Sequence, residues 1–309
     1  MIDWNTYLTP APEPDGPLDP NDIFVGSVIS RDTHDYDKAT HVLIGCPQDI
    51  GVQRNHGRPG AAEAPAAIRS ILYKLKPPRN HDSGSILDLG DIITGKSLET
   101  IHESLHVVVR QAVADGKHVM VMGGGNDCSL PDAKAVHATH PDFAAINMDA
   151  HLDMRISDQV HSGTPYRNLI EGEFLKPENF HEVGIQPWAN SPIYLEKAEE
   201  LGVNIHTYLD IRTQGKTSFF NGLFSTLQDK PLFAGLDMDS VRASHAPGVS
   251  ASSPIGFSAN DVINFAARCR DHGKTAVFEI TEVNPEFDID GHTARLAAQS
   301  LYTFAYGIY

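Results

Sequence analysis

Eight short, mostly apolar runs recur along this chain, and helical stretches separate most of them. The runs occupy 41–46, 85–89, 118–122, 143–148, 181–185, 203–207, 231–236 and 275–280. Apolar residues spaced for one face of a helix occupy 62–75, 97–114, 130–140, 192–201, 218–227 and 259–270, with a final stretch at 293–306. Strands alternating with helices need crossover connections, and crossovers generate a largely parallel sheet covered on both faces. The expected fold is therefore α/β: three αβα layers around a mostly parallel sheet of about eight strands. No strong linker interrupts residues 39–309, which are expected to form a single domain.

Residues 1–38 stand outside this rhythm. Pro10, Pro12, Pro14, Pro17 and Pro20 lie among acidic and polar residues. Proline fixes φ and removes a donor, so an irregular arm over the surface is expected. The chain has 24 basic and 40 acidic residues, a net charge of -16, which argues against nucleic-acid or anionic-membrane partners. No apolar run reaches membrane-spanning length, and Met1–Asn5 show no basic-then-apolar secretory pattern. Cys46, Cys128 and Cys269 are few and lack metal-site spacing, which suits a reducing, cytoplasmic setting.

In parallel sheets, ligands bind beyond the carboxyl ends of the strands, so the residues following each run carry the functional information. A long glycine-rich segment, 48–60, follows the first run. Gly123-Gly124-Gly125-Asn126-Asp127 follows the third, and Asp149-Ala150-His151-Leu152-Asp153 the fourth. Asp237-Met238-Asp239 follows the seventh, and Glu282-Val283-Asn284-Pro285 the eighth. Four strand ends thus direct Asn, Asp, His or Glu toward one edge of the sheet.

Asp149, His151, Asp153, Asp237 and Asp239 together supply four carboxylates and one imidazole. Buried carboxylates are costly unless a positive charge neutralises them. Hard oxygen donors with one nitrogen suit Mn, Fe, Mg or Zn, and four carboxylates exceed what one structural zinc uses. Two divalent ions sharing bridging carboxylates fit better. Such ions, roughly 3.5–4 Å apart, clamp an electrophile and lower the pKa of bound water to about 7.

The combination of Asp-Ala-His-x-Asp, then Asp-x-Asp, then Glu-Val-Asn-Pro resembles the arginase/ureohydrolase superfamily from about residue 40 onward. The resemblance implies an arginase-like fold, two ions per subunit, expected to be Mn2+, and assembly as a homo-oligomer. By position, Asp149 and Asp237 would bridge the ions. Asn126 and Asp153 would complete the first ion's site, and His151 and Asp239 the second's. A hydroxide would lie between them, with Asp153 handling its proton. Glu282 would meet the substrate's cationic nitrogen by a charge-assisted hydrogen bond.

Two departures narrow the reading. The family usually has histidine where this chain has Asn126; an amide oxygen is neutral and a weaker donor, so the first ion should bind more loosely. The His-Gly-x-Pro segment of arginases is replaced by Ser162-Gly163-Thr164-Pro165, with His161 one residue early, which argues against arginine as substrate. The Gly-Gly-Gly loop, Asp-Ala-His-x-Asp-x-Arg and Ser-Gly-Thr-Pro-aromatic resemble the formimidoylglutamase branch. That likeness implies hydrolysis of N-formimidoyl-L-glutamate to L-glutamate and formamide by metal-bound hydroxide, in histidine breakdown. A substrate with two carboxylates calls for arginines; of Arg54, Arg58, Arg155 and Arg167, Arg155 is preferred and Arg54 comes second, with Ser162 beside them.

One alternative is a ureohydrolase acting on agmatine or a guanidino acid; an alternative of another class is a catalytically silent arginase-like scaffold or binding protein. Cys46 and Cys128 read as packed thiols, 244–255 as a lid or connector, and the glycine run lacks the Lys-Ser/Thr of a phosphate loop.

Overall fold

The computed structural model describes residues 2–14, 19, 21–80 and 85–307. Pro17 and Pro20 of the arm lie outside the described residues. Nine strands form one sheet: β1 (Leu8–Thr9), β2 (His41–Gly45), β3 (Ile86–Ile92), β4 (His118–Met122), β5 (Ala144–Met148), β6 (Phe180–Ile185), β7 (Asn204–Thr207), β8 (Leu232–Asp237) and β9 (Thr275–Thr281). Their order is β1-β3-β2-β4-β9-β8-β5-β6-β7. Every pairing is parallel except β1 with β3, which is antiparallel.

The expected α/β sandwich is present, with one strand more than the eight apolar runs offered. The extra strand comes from the arm: Leu8 pairs with Ile92, and Trp4 and Leu8 are buried. Two residues running into Pro10 are too short for a period-2 signal, which hid β1 in the sequence. Short helices were hidden likewise, among them Ile50–Arg54, Pro165–Glu171 and Tyr208–Gln214. Pro165 sits at the start of the second, where its missing N–H costs nothing.

Alternation along the strands sorts side chains into two cores. Leu43 and Phe278 point to one face, where Ile68, Phe265 and Phe304 from helices Ala64–Leu72, Ala259–Asp271 and His292–Tyr306 meet them. Val42, Ile44 and Val277 point to the other, against Leu105, Val109 and Val136 from helices Leu98–Ala114 and Ser129–Thr139. Fully burying each such side chain contributes about 1.5–3 kcal/mol before entropy is counted.

For function, the decisive feature is the order of the middle strands. The chain lays down β4 and β5 apart and later returns to insert β8 and β9 between them. Met122 on β4 pairs with Ile280, Asp237 on β8 pairs with Thr281, and Met148 on β5 pairs with Leu236. The four donor-bearing strand ends therefore stand side by side and level.

Candidate metal centre

Asp149 is the hub. It follows β5, is wholly buried, and accepts the backbone N–H of His151 at 2.7 Å and Asn147 Nδ2 at 3.0 Å. Asp149, Asp153 and Asp237 form one cluster whose ligand atoms lie within 4.8 Å of one another; Asp149, His151 and Asp239 form a second. Asp149 belongs to both, as a bridging carboxylate must. Asp237 Oδ1 accepts the backbone N–H of Asp239 at 2.8 Å, which fixes the Asp-x-Asp turn.

The electrostatics fit a cation. Burial pushes the Asp149 carboxyl up to about 6, with Asp239 adding to the shift. Burial, followed by Asp149, raises Asp153 well above the usual carboxylate range. Burial, followed by Asp239, does the same to Asp237 and Glu282. Asp239 raises His151 well above an ordinary imidazole, across 2.9 Å from its Oδ2 to His151 Nδ1. Asp239 Oδ1 is buried without a partner among the described residues. Divalent ions would neutralise these charges, occupy that oxygen and reverse the shifts.

Asn126 faces the same carboxylates, with its nitrogen leading. Nδ2 lies 2.6 Å from Asp153 Oδ2 and 3.2 Å from Asp149 Oδ2. Oδ1 points away and accepts from Ser129 Oγ at 2.9 Å and Thr281 Oγ1 at 3.3 Å. The sequence expectation of an oxygen ligand therefore needs the amide turned over. The glycines before it let the loop lie flat. A Cβ on Gly124 would fall 1.6 Å from the Gln48 carbonyl oxygen, and one on Gly125 would fall 2.6 Å from Val52 Cγ2. Close packing, not phosphate binding, accounts for the run.

Glu282 accepts the Asn126 backbone N–H at Oε1 over 3.1 Å, and its own N–H donates to Gly124 O at 2.8 Å. Its φ of 62° is the left-handed region, as is the 47° of Asp153. Such a conformation costs about 1–3 kcal/mol and is kept where surrounding contacts impose it, commonly at functional sites.

Two adjoining cavities, of about 520 and 270 Å³, open over the cluster and share His56, His151, Asp153 and Arg155. The deeper one also reaches Ser162, Asp237, Asp239 and Glu282. Arg155 has no hydrogen-bond or ion-pair partner for its guanidinium among the described residues, and it stands at both cavities.

Arg54 is the more engaged of the two arginines expected at the substrate. It lines the larger cavity, but its Nη1 donates to Glu99 Oε1 at 2.7 Å and to Val160 O at 3.1 Å, so its charge is already engaged. Arg58 is committed to Ser250 O at 2.8 Å and lies over the Phe287 ring, and Arg167 pairs with Glu171. Ser162 Oγ accepts from Asn55 Nδ2 at 3.0 Å, which leaves its own proton to donate into the cavity.

The 244–255 stretch is tied down at Ser250, which accepts the Arg58 N–H at 2.9 Å, and Ser250 and Ala251 wall the deeper cavity. Cys46 and Cys128 are buried, and both thiols are raised. Behind the donors lies a buried polar layer that sequence reasoning missed: Ser129, Asp132, Asn147, Glu182 and Glu279. Its only signal was polar residues inside apolar runs, such as Asn147 in 143–148 and Glu279 in 275–280.

The Arginase family profile matches residues 39–306. The formimidoylglutamase of Klebsiella pneumoniae is 33% identical over 274 residues, 85% of this chain and 84% of that protein. In three dimensions the chain is similar to Trypanosoma cruzi formiminoglutamase with Mn2+2: TM-score 0.85, 32% identity, 93% of this chain and 98% of that one. It is also similar to the formimidoylglutamase of Bacillus subtilis: TM-score 0.87, 28% identity, 95% and 94% coverage.

Proposed function

The chain belongs to the arginase family, and from that premise we propose that it is a hydrolase converting N-formimidoyl-L-glutamate to L-glutamate and formamide at two Mn2+ ions. The observation that carries the reading is the pair of donor clusters sharing Asp149 beneath a cavity with the unpaired Arg155 at its wall. Asn126, Asp149, Asp153 and Asp237 would hold one ion; Asp149, His151, Asp237 and Asp239 would hold the other. When bound, the pair supplies a hydroxide nucleophile at neutral pH.

The chain's own residues do the rest. Glu282 orients the cationic formimidoyl nitrogen by a charge-assisted hydrogen bond. Arg155 binds a glutamate carboxylate in a forked pair, and Ser162 donates its free hydroxyl proton to the same part of the substrate. Asp153, between Asn126 and the cavity, carries the proton that the departing glutamate amine takes up as its C–N bond breaks. Water thus adds oxygen to the formimidoyl carbon, and formamide and glutamate leave.

A side-by-side assay tests this. Formamide should be released from formimidoylglutamate, more with added Mn2+ than without. Urea release from agmatine or another guanidino compound would instead overturn the substrate assignment.

A homo-oligomer in the cytoplasm is part of the same proposal. Trp188, Ile193 and Leu201 are exposed, and the three cysteines are free thiols. No described helix is long and apolar enough to cross a membrane.

A further inference from the structure

The layer behind Asn126 holds too few donors for its contacts. Ser129 Oγ lies 2.9 Å from Asn126 Oδ1 and 2.5 Å from Glu279 Oε2, yet it has one proton. Behind Glu279 comes Asp132, with which it interacts directly, and both are fully buried. Both oxygens of Asp132 and Oε1 of Glu279 lack a donor among the described residues. Burial pushes Glu279 up to about 8, and burial followed by Glu279 lifts Asp132 well above the usual range. Two acids facing each other in a dry interior hold a proton between them.

Counting protons separates two arrangements. With Asn126 Oδ1 toward Ser129, both Ser129 contacts are hydrogen bonds when Asp132 donates to Glu279, Glu279 to Ser129, and Ser129 to Asn126. That takes two carboxyl protons. With the amide turned over, Nδ2 donates to the Ser129 and Thr281 hydroxyl oxygens, Ser129 donates to Glu279, and Asp132 donates to Glu279. That takes one, the other passing to solvent. In the second arrangement, Oδ1 faces Asp149 and Asp153.

We propose that Ser129, Glu279 and Asp132 form a hydrogen-bond relay that lets the Asn126 amide turn over and offer Oδ1 to the ion held by Asp149, Asp153 and Asp237. This rests on the reading that Asn126 completes that ion's site. The relay explains how a neutral amide serves in a ligand position. One rotation converts it from a donor that quiets two carboxylates into an oxygen ligand, and the layer behind accepts either end. Ser129 and Glu279 are positioning residues: they act through Asn126 and touch neither ion nor substrate.

Manganese titration of the full-length protein, followed by electron paramagnetic resonance, tests the relay in three variants whose folding is checked by circular dichroism. Ser129→Ala removes the hydroxyl that must accept from Nδ2. Glu279→Leu leaves the Ser129 proton no acceptor but Oδ1, which locks the amide as seen. Each should weaken one ion by about 10- to 100-fold, as loss of an outer partner commonly does, so that an isolated six-line spectrum replaces the coupled two-ion signal. Glu279→Gln keeps an acceptor for Ser129 and gains a donor to Asp132, and should retain both ions. Two ions bound with wild-type affinity by both Ser129→Ala and Glu279→Leu would overturn the relay alone. Equal weakening of both ions would also overturn it, since that is the mark of a merely structural role. Failure of the wild-type protein to bind Mn2+ would overturn the two-ion reading and the relay with it.

Discussion

Asn126 donates its amide nitrogen to Asp153 across 2.6 Å, while its oxygen points back to Ser129. A family position usually held by an imidazole is thus held by a group with two different ends. Asn126→His should tighten the first ion roughly tenfold, because imidazole is the better donor toward first-row metals. Calorimetric Mn2+ titration measures this. Weaker binding in the histidine variant would show that the loop geometry, not donor strength, determines what fits there.

Asp149 lies in both donor clusters. Asp149→Ala should lose both ions and reduce formamide release to background. An Asp149→Ala protein that still retains two ions would remove the bridging role.

Cation binding needs ionised carboxylates. Asp149 is held up to about 6, and Asp153 and Asp237 are raised too, so protons compete below that pH. Lowering the pH from 8.5 to 5.5 should strip Mn2+, the Asn126 site emptying first because its fourth donor is neutral. Metal counted after dialysis at each pH is the readout, and equal loss from both sites contradicts the ordering.

Among the described residues the Arg155 guanidinium has no partner, whereas Arg54 Nη1 is bonded to Glu99 and Val160. Arg155→Ala should raise KM about 10- to 100-fold with a smaller change in kcat, the loss expected for one charged hydrogen-bonded contact. Arg54→Ala removes a pair with the largely exposed Glu99, worth under about 1 kcal/mol, and should leave KM nearly unchanged. Steady-state kinetics of the two variants decide the matter, and a larger KM effect from Arg54 would exchange their roles.

Acid stability should depend on histidines far from the site. Burial, helped by neighbouring histidines, lowers His41 and His181 to about 4, well below the 6.5 of an ordinary imidazole. Between those values the unfolded chain binds protons that the folded chain refuses, so stability falls as pH drops from 6.5 to 4. The cost is roughly 1–2 kcal/mol each, after allowance for partial exposure. Asp149 acts in the opposite sense in metal-free protein, since its raised carboxyl favours the folded state as pH falls toward 4. The double variant His41→Gln, His181→Gln isolates the histidines: its Tm should fall less than the wild type's between pH 7 and 4.5, both without metal. Parallel curves would refute the assignment.

Much of the site was legible because its residues sit where strands end. Asp149, His151 and Asp153 are local to one strand terminus, and Asp237 and Asp239 to another, so spacing alone reveals them as donors. Glu282 was found the same way. The arginines could not be ranked so, since all of them lie in loops. Only the positions of Glu99, Ser250 and Glu171 reveal which charges are already engaged. The buried polar layer was unreadable for a related reason: a glutamate inside an apolar run carries no sign of what it faces.

The sequence by itself determined the α/β fold class and the donor chemistry. Hydrophobic periodicity is a property of consecutive residues, and carboxylates and imidazole carry their metal preference wherever they stand. The tertiary structure decided which donors lie together, by inserting β8 and β9 between β4 and β5. It also decided that, of the four candidate arginines, Arg155 is the one without a partner among the described residues, and which end of Asn126 faces Asp153. Those outcomes depend on contacts between segments more than 20 residues apart, such as Asn126 with Asp153 and Ser129 with Glu279 at separations of 27 and 150. Only packing the sheet brings such pairs within hydrogen-bonding distance.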